Sequence, residues 1–160
     1  MTEMLEPEGE ELKVARVGAI YLLDGIEEIS HYWDSIAQCL DATRPLWEDA
    51  FTKDSILARA IAGKIQIWVI SRDGVLDLAF MTQAYRSDVR KVLQIFWMYG
   101  EGLREMLPLI ALVLDQFATT IQAEVLEVTG RPAFVRLLAP LGGEFKAVTI
   151  SRQVRTIARN

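Results

Sequence analysis

The sequence predicts one α/β domain with a mixed, mostly antiparallel sheet that carries helices on both faces. Its 160 residues suit a single domain, and a fold of this size buries enough surface to need no cross-link. Apolar residues make up 51% of the chain, more than a disordered chain contains. Several period-two segments carry large apolar side chains at both positions, which predicts strands that are covered by helices on both faces.

Alternating and helical spacings give the order strand, helix, helix, three strands, helix, strand, helix, strand. The predicted strands cover residues 13–21, 65–70, 75–85, 92–99, 123–129 and 145–154, and the predicted helices cover 24–40, 52–62, 103–117 and 132–139. Asp24 and Thr52 are positioned to cap the first two helices. Asp73-Gly74 predicts a tight hairpin, so residues 65–99 should form an antiparallel meander of three strands.

The composition of the chain argues against several classes of function. The net charge of -5 means that the chain as a whole lacks the excess positive charge that binds nucleic acid, so a nucleic-acid partner is not expected. A single cysteine, Cys39, excludes a disulfide framework and a cysteine zinc site. The longest apolar run, residues 106–114, is far short of the roughly 20 residues that cross a bilayer. Residues 1–11 are acidic, which argues against a secretory signal and predicts a flexible tail before a domain over 12–160.

The order of elements and three short phrases resemble the GNAT acetyltransferase superfamily over about residues 12–154. The phrases are Trp47 through Lys64-Ile65-Gln66-Ile67-Trp68, then Gly130-Arg131-Pro132-Ala133-Phe134-Val135-Arg136-Leu137-Leu138, then Leu141-Gly142. They are most similar to small GNAT-like proteins encoded by tailed bacteriophages. The resemblance implies a GNAT fold and places the chain in a phage virion or in the host cytoplasm.

The resemblance also implies a cleft for acetyl-CoA, with the pyrophosphate on backbone N–H groups at the start of the central helix. The superfamily's pattern there is Gln/Arg-x-x-Gly-x-Gly/Ala. This sequence has Met98-Tyr99-Gly100-Glu101-Gly102, so two glycines remain. Met98, Tyr99, Gly100 and Gly102 are therefore candidate cofactor residues.

The first departure from the superfamily's pyrophosphate-binding pattern is a negative charge. Glu101 puts an anion where the pyrophosphate would bind, and Glu105 follows one turn later. Arg104 offsets part of this charge and is the fifth candidate cofactor residue. A glycine pair without the full pattern is also typical of an ordinary turn.

The second departure concerns catalysis. Active members of the superfamily commonly carry a general-acid tyrosine just before the Leu-Gly turn, and that position falls at or near Leu138. Asp77, on the second core strand, is the one candidate for a general base. His31 lies in the first helix and, as a lone histidine, predicts no metal site. Cys39 lies in an apolar helical stripe and is interpreted as a small buried hydrophobe.

Two further groups leave alternatives open. The tryptophans at positions 33, 47, 68 and 97 are either core packing or anchors of a protein interface. Arg152, Arg155 and Arg159 form a basic cluster, which is either a solvated end or a contact for phosphate or an acidic surface.

Because two catalytic elements are altered together, the favoured hypothesis is a GNAT-fold protein that no longer transfers acetyl groups. It would bind no cofactor and act as a structural or assembly component of a phage virion. The expected partners are proteins, in a homo-oligomer or a larger assembly, with no membrane span. The alternative is an acetyl-CoA-dependent N-acetyltransferase with an atypical pyrophosphate loop.

Overall fold

In the part of the chain that the structure describes, five strands form one sheet whose spatial order follows the chain from β1 to β5. The strands are β1 (Ala19–Leu22), β2 (Ile65–Arg72), β3 (Val75–Arg86), β4 (Lys91–Gly100) and β5 (Val125–Val128). The helices are α1 (Gly25–Ala42), α2 (Lys53–Ile61) and α3 (Leu103–Thr120), with a short 3-10 helix at Arg44–Leu46. The structure is a computed structural model, and it describes residues 19–73 and 75–129.

Strands β1 to β4 pair antiparallel with their neighbours, whereas β5 pairs parallel with β4. Arg72 pairs with Val75, so β2 and β3 are joined by a two-residue turn, in which Asp73 has a φ of 53°. A parallel neighbour needs a crossover connection, and α3 supplies it between β4 and β5. The predicted antiparallel meander is confirmed.

Helices cover both faces of the sheet because the strands are apolar on both faces. The first face, which we call the α1/α2 face, packs against α1 and α2 through Ile65, Ile67, Val69, Ala79, Met81 and Trp97. The second, the α3 face, packs against α3 through Trp68, Ile70, Leu78, Phe80, Leu93 and Ile95. The predicted fold class is therefore confirmed.

Helices α1 and α2 begin in different ways. The Thr52 side chain accepts the N–H of Ser55 at 3.0 Å, and the Ser55 hydroxyl accepts the N–H of Thr52 in return, so the predicted cap of α2 is confirmed. Asp24 precedes α1 as expected, but its side chain makes no capping hydrogen bond. The Glu28 carboxylate instead accepts the N–H of Asp24 at 2.9 Å. The predicted capping role of the Asp24 side chain is therefore wrong, and the side-chain hydrogen bond at this helix start is the one that Glu28 accepts from the Asp24 backbone.

A β-bulge interrupts β3 near its start. Ser71 pairs with Leu76 and Ile70 pairs with Leu78, so Asp77 is an extra residue in β3. An extra residue switches the face to which the following side chains point. Leu76 accordingly packs on the α1/α2 face, whereas Leu78 lies in the core of the α3 face.

A second bulge lies in the middle of β4. Met81 pairs with Trp97 and Thr82 pairs with Ile95, which leaves Phe96 as the extra residue. Ile95 and Trp97 are two residues apart, yet they lie on opposite faces of the sheet. The bulge therefore lets β4 contribute large apolar side chains to both cores.

The tryptophans at positions 47, 68 and 97 are core residues, each exposed by 5% or less. Each indole N–H has an acceptor, so its burial leaves no polar atom unpaired. The acceptors are the carbonyl oxygen of Leu40 for Trp47, the hydroxyl of Thr82 for Trp68 and the hydroxyl of Thr43 for Trp97. The packing interpretation is confirmed for these three residues, and Trp33 is half-buried against the same α1/α2 face.

The remaining boundaries differ from the predictions by a few residues. The first predicted strand, 13–21, corresponds to β1, and its residues 13–18 lie outside the described residues. The strand predicted over 123–129 is shorter, and α3 continues past the predicted end at Phe117. The acidic tail, the helix predicted over 132–139 and the strand predicted over 145–154 lie outside the described residues. None of the helices in the described ranges has the length and apolar character of a membrane span.

Candidate functional site

The connection between β4 and α3 is where the resemblance places the cofactor, and it is only two residues long. β4 ends at Gly100 and α3 begins at Leu103, so Glu101 and Gly102 alone join them. The bulge of β3 lies directly beside this connection, because Gly100 pairs with the residue that follows Asp77. The fold therefore brings together the carboxylate and the glycine segment that the sequence indicated separately.

Gly100 makes a contact that requires glycine. Its φ is 140°, and a Cβ atom at this position would lie 2.3 Å from the carbonyl oxygen of Asp77 and 2.5 Å from the Cα of Leu78. Both are backbone atoms, so no side-chain rotation relieves the clash. Glycine at position 100 therefore permits the close approach of β4 to the bulge of β3.

The backbone N–H of Glu101 is held by the same bulge. It donates a hydrogen bond to the carbonyl oxygen of Asp77, with an N···O distance of 2.9 Å. This bond joins the residue after β4 to the start of β3 and directs the chain into α3. The N–H in the middle of the Gly100–Gly102 segment is consequently engaged within the protein.

Helix α3 starts from a glycine in the left-handed conformation. Gly102 has a φ of 75°, provides no capping side chain, and accepts the N–H of Met106 at 3.1 Å through its carbonyl oxygen. Within the described residues, the N–H groups of Leu103, Arg104 and Glu105 have no acceptor. The first turn therefore keeps the donors and the positive dipole end that attract anions.

Carboxylates oppose that attraction. Glu101 and Glu105 are both exposed beside the helix start. Asp77, whose side chain is 30% exposed, forms an ion pair with Arg72 at 3.4 Å. The exposed Arg104 is the cation of the first turn. The three carboxylates outnumber the two guanidinium groups nearby, those of Arg72 and Arg104, so the local charge is negative.

The candidate cofactor residues do not share one surface. Gly100, Gly102 and Arg104 lie together around the start of α3. Met98 is half-buried against the α3 face, whereas Tyr99 pairs with a residue of the α1/α2 core and is 42% exposed. The side chains of Met98 and Tyr99 therefore point to opposite faces of the sheet, and the role of all five residues as cofactor contacts stays a prediction.

The other candidates are placed apart from this connection. His31 is exposed on α1, with its ring edge against Tyr32 at a centroid distance of 4.9 Å. No cluster of three or more His, Cys, Asp or Glu side chains that could hold a metal ion occurs among the described residues. Cys39 is half-buried on α1, and burial raises the pKa of its thiol. A raised pKa disfavours the nucleophilic thiolate, in agreement with a packing role. Asp77, the candidate base, is engaged with Arg72 as described above.

A second polar cluster, which the sequence did not predict, spans β3, β4 and β5 on the α1/α2 face. The Tyr85 hydroxyl donates to the Glu127 carboxylate, at 2.8 Å from Oε2 and 3.0 Å from Oε1. The Gln94 amide donates to Glu127 Oε1 and to Thr129 Oγ1, both at 2.9 Å, and accepts from Gln83 at 3.0 Å. We call Tyr85, Gln94 and Glu127 the β5 polar cluster.

The β5 polar cluster has a weak signature in the sequence. Glu127 is the one charged residue in the β5 sequence Val-Leu-Glu-Val, which otherwise is typical of a buried parallel strand. The strand register then aligns Gln94 with Glu127. The hydrogen bond to Glu127, and after it partial burial and the carboxylate charge, raise the pKa of the Tyr85 phenol. Glu127 therefore favours the protonated form of Tyr85, which donates the hydrogen bond.

No family model and no curated protein matches this sequence, whereas several solved structures match its fold. An aminoglycoside acetyltransferase from an uncultured soil metagenomic sample, in complex with sisomicin, aligns with a TM-score of 0.64 and 9% identity, over 89% of this chain and 99% of that chain. A ribosomal-protein-alanine N-acetyltransferase from Brucella melitensis biovar Abortus 2308 aligns with a TM-score of 0.58 and 16% identity, over 86% and 99%.

A third solved structure is aminoglycoside N-acetyltransferase AAC(6')-Iy in complex with CoA. It aligns with a TM-score of 0.61 and 14% identity, over 88% of this chain and 98% of that chain. At such identities the likeness is one of fold. The chain has the fold of the GNAT acetyltransferases, and what it does has to be argued from its own residues.

The contact made by Gly100 gives a direct stability prediction. Gly100→Ala should lower the free energy of unfolding by roughly 3 kcal/mol or more, because the methyl group meets backbone atoms and the φ is unfavourable. Gly63→Ala is the matched control, since Gly63 also has a positive φ, of 78°, but open space around its Cβ position. It should cost only about 1–2 kcal/mol. Urea denaturation followed by tryptophan fluorescence measures both, and equal losses would contradict the close approach.

Proposed function

We propose that this chain is a GNAT-fold protein that does not transfer acetyl groups and works by binding other proteins. The observation that carries the proposal is the hydrogen bond from the Glu101 N–H to the Asp77 carbonyl, in a connection of only two residues. A pyrophosphate-binding loop needs several free N–H groups that point at the ligand. Here the connection is short and its central N–H is engaged, so the remaining donors are those at the start of α3.

Charge supports the same proposal. A helix start carries the equivalent of roughly half a positive charge, which is screened by salt and falls off within the first turn. Glu101 and Glu105 lie beside that start, and the CoA pyrophosphate would add further negative charge at the same place. Arg104 is one cation against these groups, so a pyrophosphate would meet net repulsion.

The site also lacks well-placed groups for general-base and general-acid catalysis of acetyl transfer. A general base must be free to take the proton of the acceptor amine. Asp77 is held by Arg72 and lies at the end of the sheet, beside the bulge. The superfamily resemblance places Leu138 where a general-acid tyrosine is common, and leucine donates no proton. These features favour a binding role over acetyl transfer.

The alternative, an acetyl-CoA-dependent N-acetyltransferase, is favoured by two observations. One solved structure with the same fold is that of an enzyme in complex with CoA. In addition, α3 begins with N–H groups that lack acceptors within the described residues, next to Gly100 and Gly102. Acetyl-CoA is the cofactor on this alternative, and a binding measurement separates the two functions.

Calorimetry with acetyl-CoA is that measurement. The unmodified chain should give no saturable heat at micromolar ligand, because the N–H of Glu101 is engaged and its carboxylate repels the pyrophosphate. If residual binding is detected at higher concentration, Glu101→Gln should tighten it by about two- to fivefold, the effect of one largely exposed charge. Glu48→Gln, at an exposed carboxylate in the turn after α1, is the matched control and should change nothing.

A micromolar dissociation constant for the unmodified chain would overturn the binding role and establish the alternative. Tightening by Glu48→Gln as strong as that by Glu101→Gln would show that net charge, and not the site, controls affinity.

The finer proposal is that the partners are further copies of this chain or other components of a phage particle. It is supported by the phage-like phrases, by the acidic residues 1–11, and by the arginines at 152, 155 and 159. Opposite charges on two parts of one chain can steer and align copies, although salt limits their effect to close range. The location that follows is the virion or, before assembly, the host cytoplasm.

Light scattering tests this association. The purified chain should form a homo-oligomer or, from its native source, elute with a larger assembly. Reversal of Arg152, Arg155 and Arg159 to glutamate should shift it toward the monomer, whereas reversal of the exposed pair Arg86 and Arg90 should not. A monomer at high concentration that is indifferent to both changes, with no partner from the native source, would contradict the assembly role.

A further inference from the structure

Glu127 is a half-buried carboxylate whose hydrogen-bond partners, among the residues that the structure describes, are all neutral. Its oxygens accept hydrogen bonds from the Tyr85 hydroxyl and the Gln94 amide. Within residues 19–73 and 75–129, no lysine or arginine nitrogen lies within 4.0 Å of it. By contrast, Asp77 is paired with Arg72, and Asp41 is paired with a lysine and an arginine.

The negative charge of the Glu127 carboxylate is only partly stabilised by its neutral hydrogen-bond donors. Neutral donors stabilise a carboxylate by hydrogen bonding, but they leave its full negative charge in a partly desolvated place. The Tyr85 hydroxyl is shared between both oxygens, and within residues 19–73 and 75–129 it is the single donor to Oε2. Glu127 therefore retains both charge and accepting capacity for a further donor.

An aromatic ring lies next to that charge. Tyr85 is 40% exposed, and its hydroxyl is fixed on Glu127, which holds the ring beside the carboxylate. A planar cation can stack on an exposed aromatic ring while it donates to a neighbouring carboxylate. A guanidinium group meets both conditions, whereas an ammonium group lacks the planar fork.

We propose that the β5 polar cluster binds the guanidinium group of an arginine from a basic partner protein. Glu127 accepts hydrogen bonds from the guanidinium, Tyr85 stacks on it, and Gln94 holds Glu127 in place. The net charge of -5 on this chain favours a basic partner. That the guanidinium comes from a partner protein rests on the proposed binding function. That a guanidinium binds here depends on the β5 polar cluster alone.

Titration of the isotope-labelled full chain with methylguanidinium chloride, followed by NMR, tests the site. At millimolar ligand the Tyr85 ring and the backbone amides of Gln94 and Glu127 should shift together and saturate. Sodium chloride at equal ionic strength should not reproduce these shifts. Methylammonium should bind more weakly than methylguanidinium, because it cannot stack on the ring.

Two variants with a matched control locate the charge that binds. Glu127→Gln keeps the shape of the side chain and should weaken binding about tenfold or more, since it removes the carboxylate. Glu124→Gln, at the exposed carboxylate just before β5, makes the same charge change and should have no effect. Tyr85→Phe keeps the ring and removes the hydroxyl donor, which leaves Oε2 of Glu127 open and Oε1 bonded to Gln94, so binding should be retained.

Three results would overturn the inference. They are an absence of saturable shifts in the full chain, equal weakening by Glu124→Gln, and loss of binding in Tyr85→Phe with a preserved fold. An absence of shifts includes the case in which an arginine of residues 130–160 already occupies Glu127. None of these results alters the acetyl-CoA measurement, so failure of this site and failure of the proposed function can be told apart.

Discussion

The hydrogen bond between the N–H of Glu101 and the carbonyl of Asp77 joins the end of β4 to the bulge of β3. It depends on Gly100, because only glycine lets the two backbones approach so closely. The same bond leads the chain directly into α3. This contact of the strands thereby engages the N–H that precedes the helix start, while the N–H groups of the first turn of α3 stay without intrahelical acceptors.

The chain thus combines the fold of an acetyltransferase with negative charge at the start of α3. Its fold is that of the GNAT acetyltransferases, and its α3 keeps the positive end of a helix dipole beside two glycines. The negative charge of Glu101, Glu105 and Asp77 works against an anionic ligand at that point. Farther along the sheet, Glu127 lies beside the exposed Tyr85 ring, with no lysine or arginine nitrogen within 4.0 Å among residues 19–73 and 75–129.

The sequence predicted the features that depend on local pattern. Apolar residues at both positions of the period-two segments predicted helices on both faces, and Asp73-Gly74 predicted the hairpin. It did not predict the bulges at Asp77 and Phe96, because an extra residue in a strand is defined by its partner strand. The β5 polar cluster was missed for the same reason, since Gln94 and Glu127 meet only through the register of β4 and β5.

Amide hydrogen exchange at Glu101 tests the central claim most directly, because it reports on the one hydrogen bond that closes the connection. The account predicts a protected Glu101 amide in an otherwise exposed segment, next to Gly102 and Leu103 amides that exchange freely. The pattern should be the same in the presence of millimolar acetyl-CoA. A Glu101 amide that exchanges as fast as that of Gly102, or protection of Leu103 and Arg104 on addition of acetyl-CoA, would contradict it.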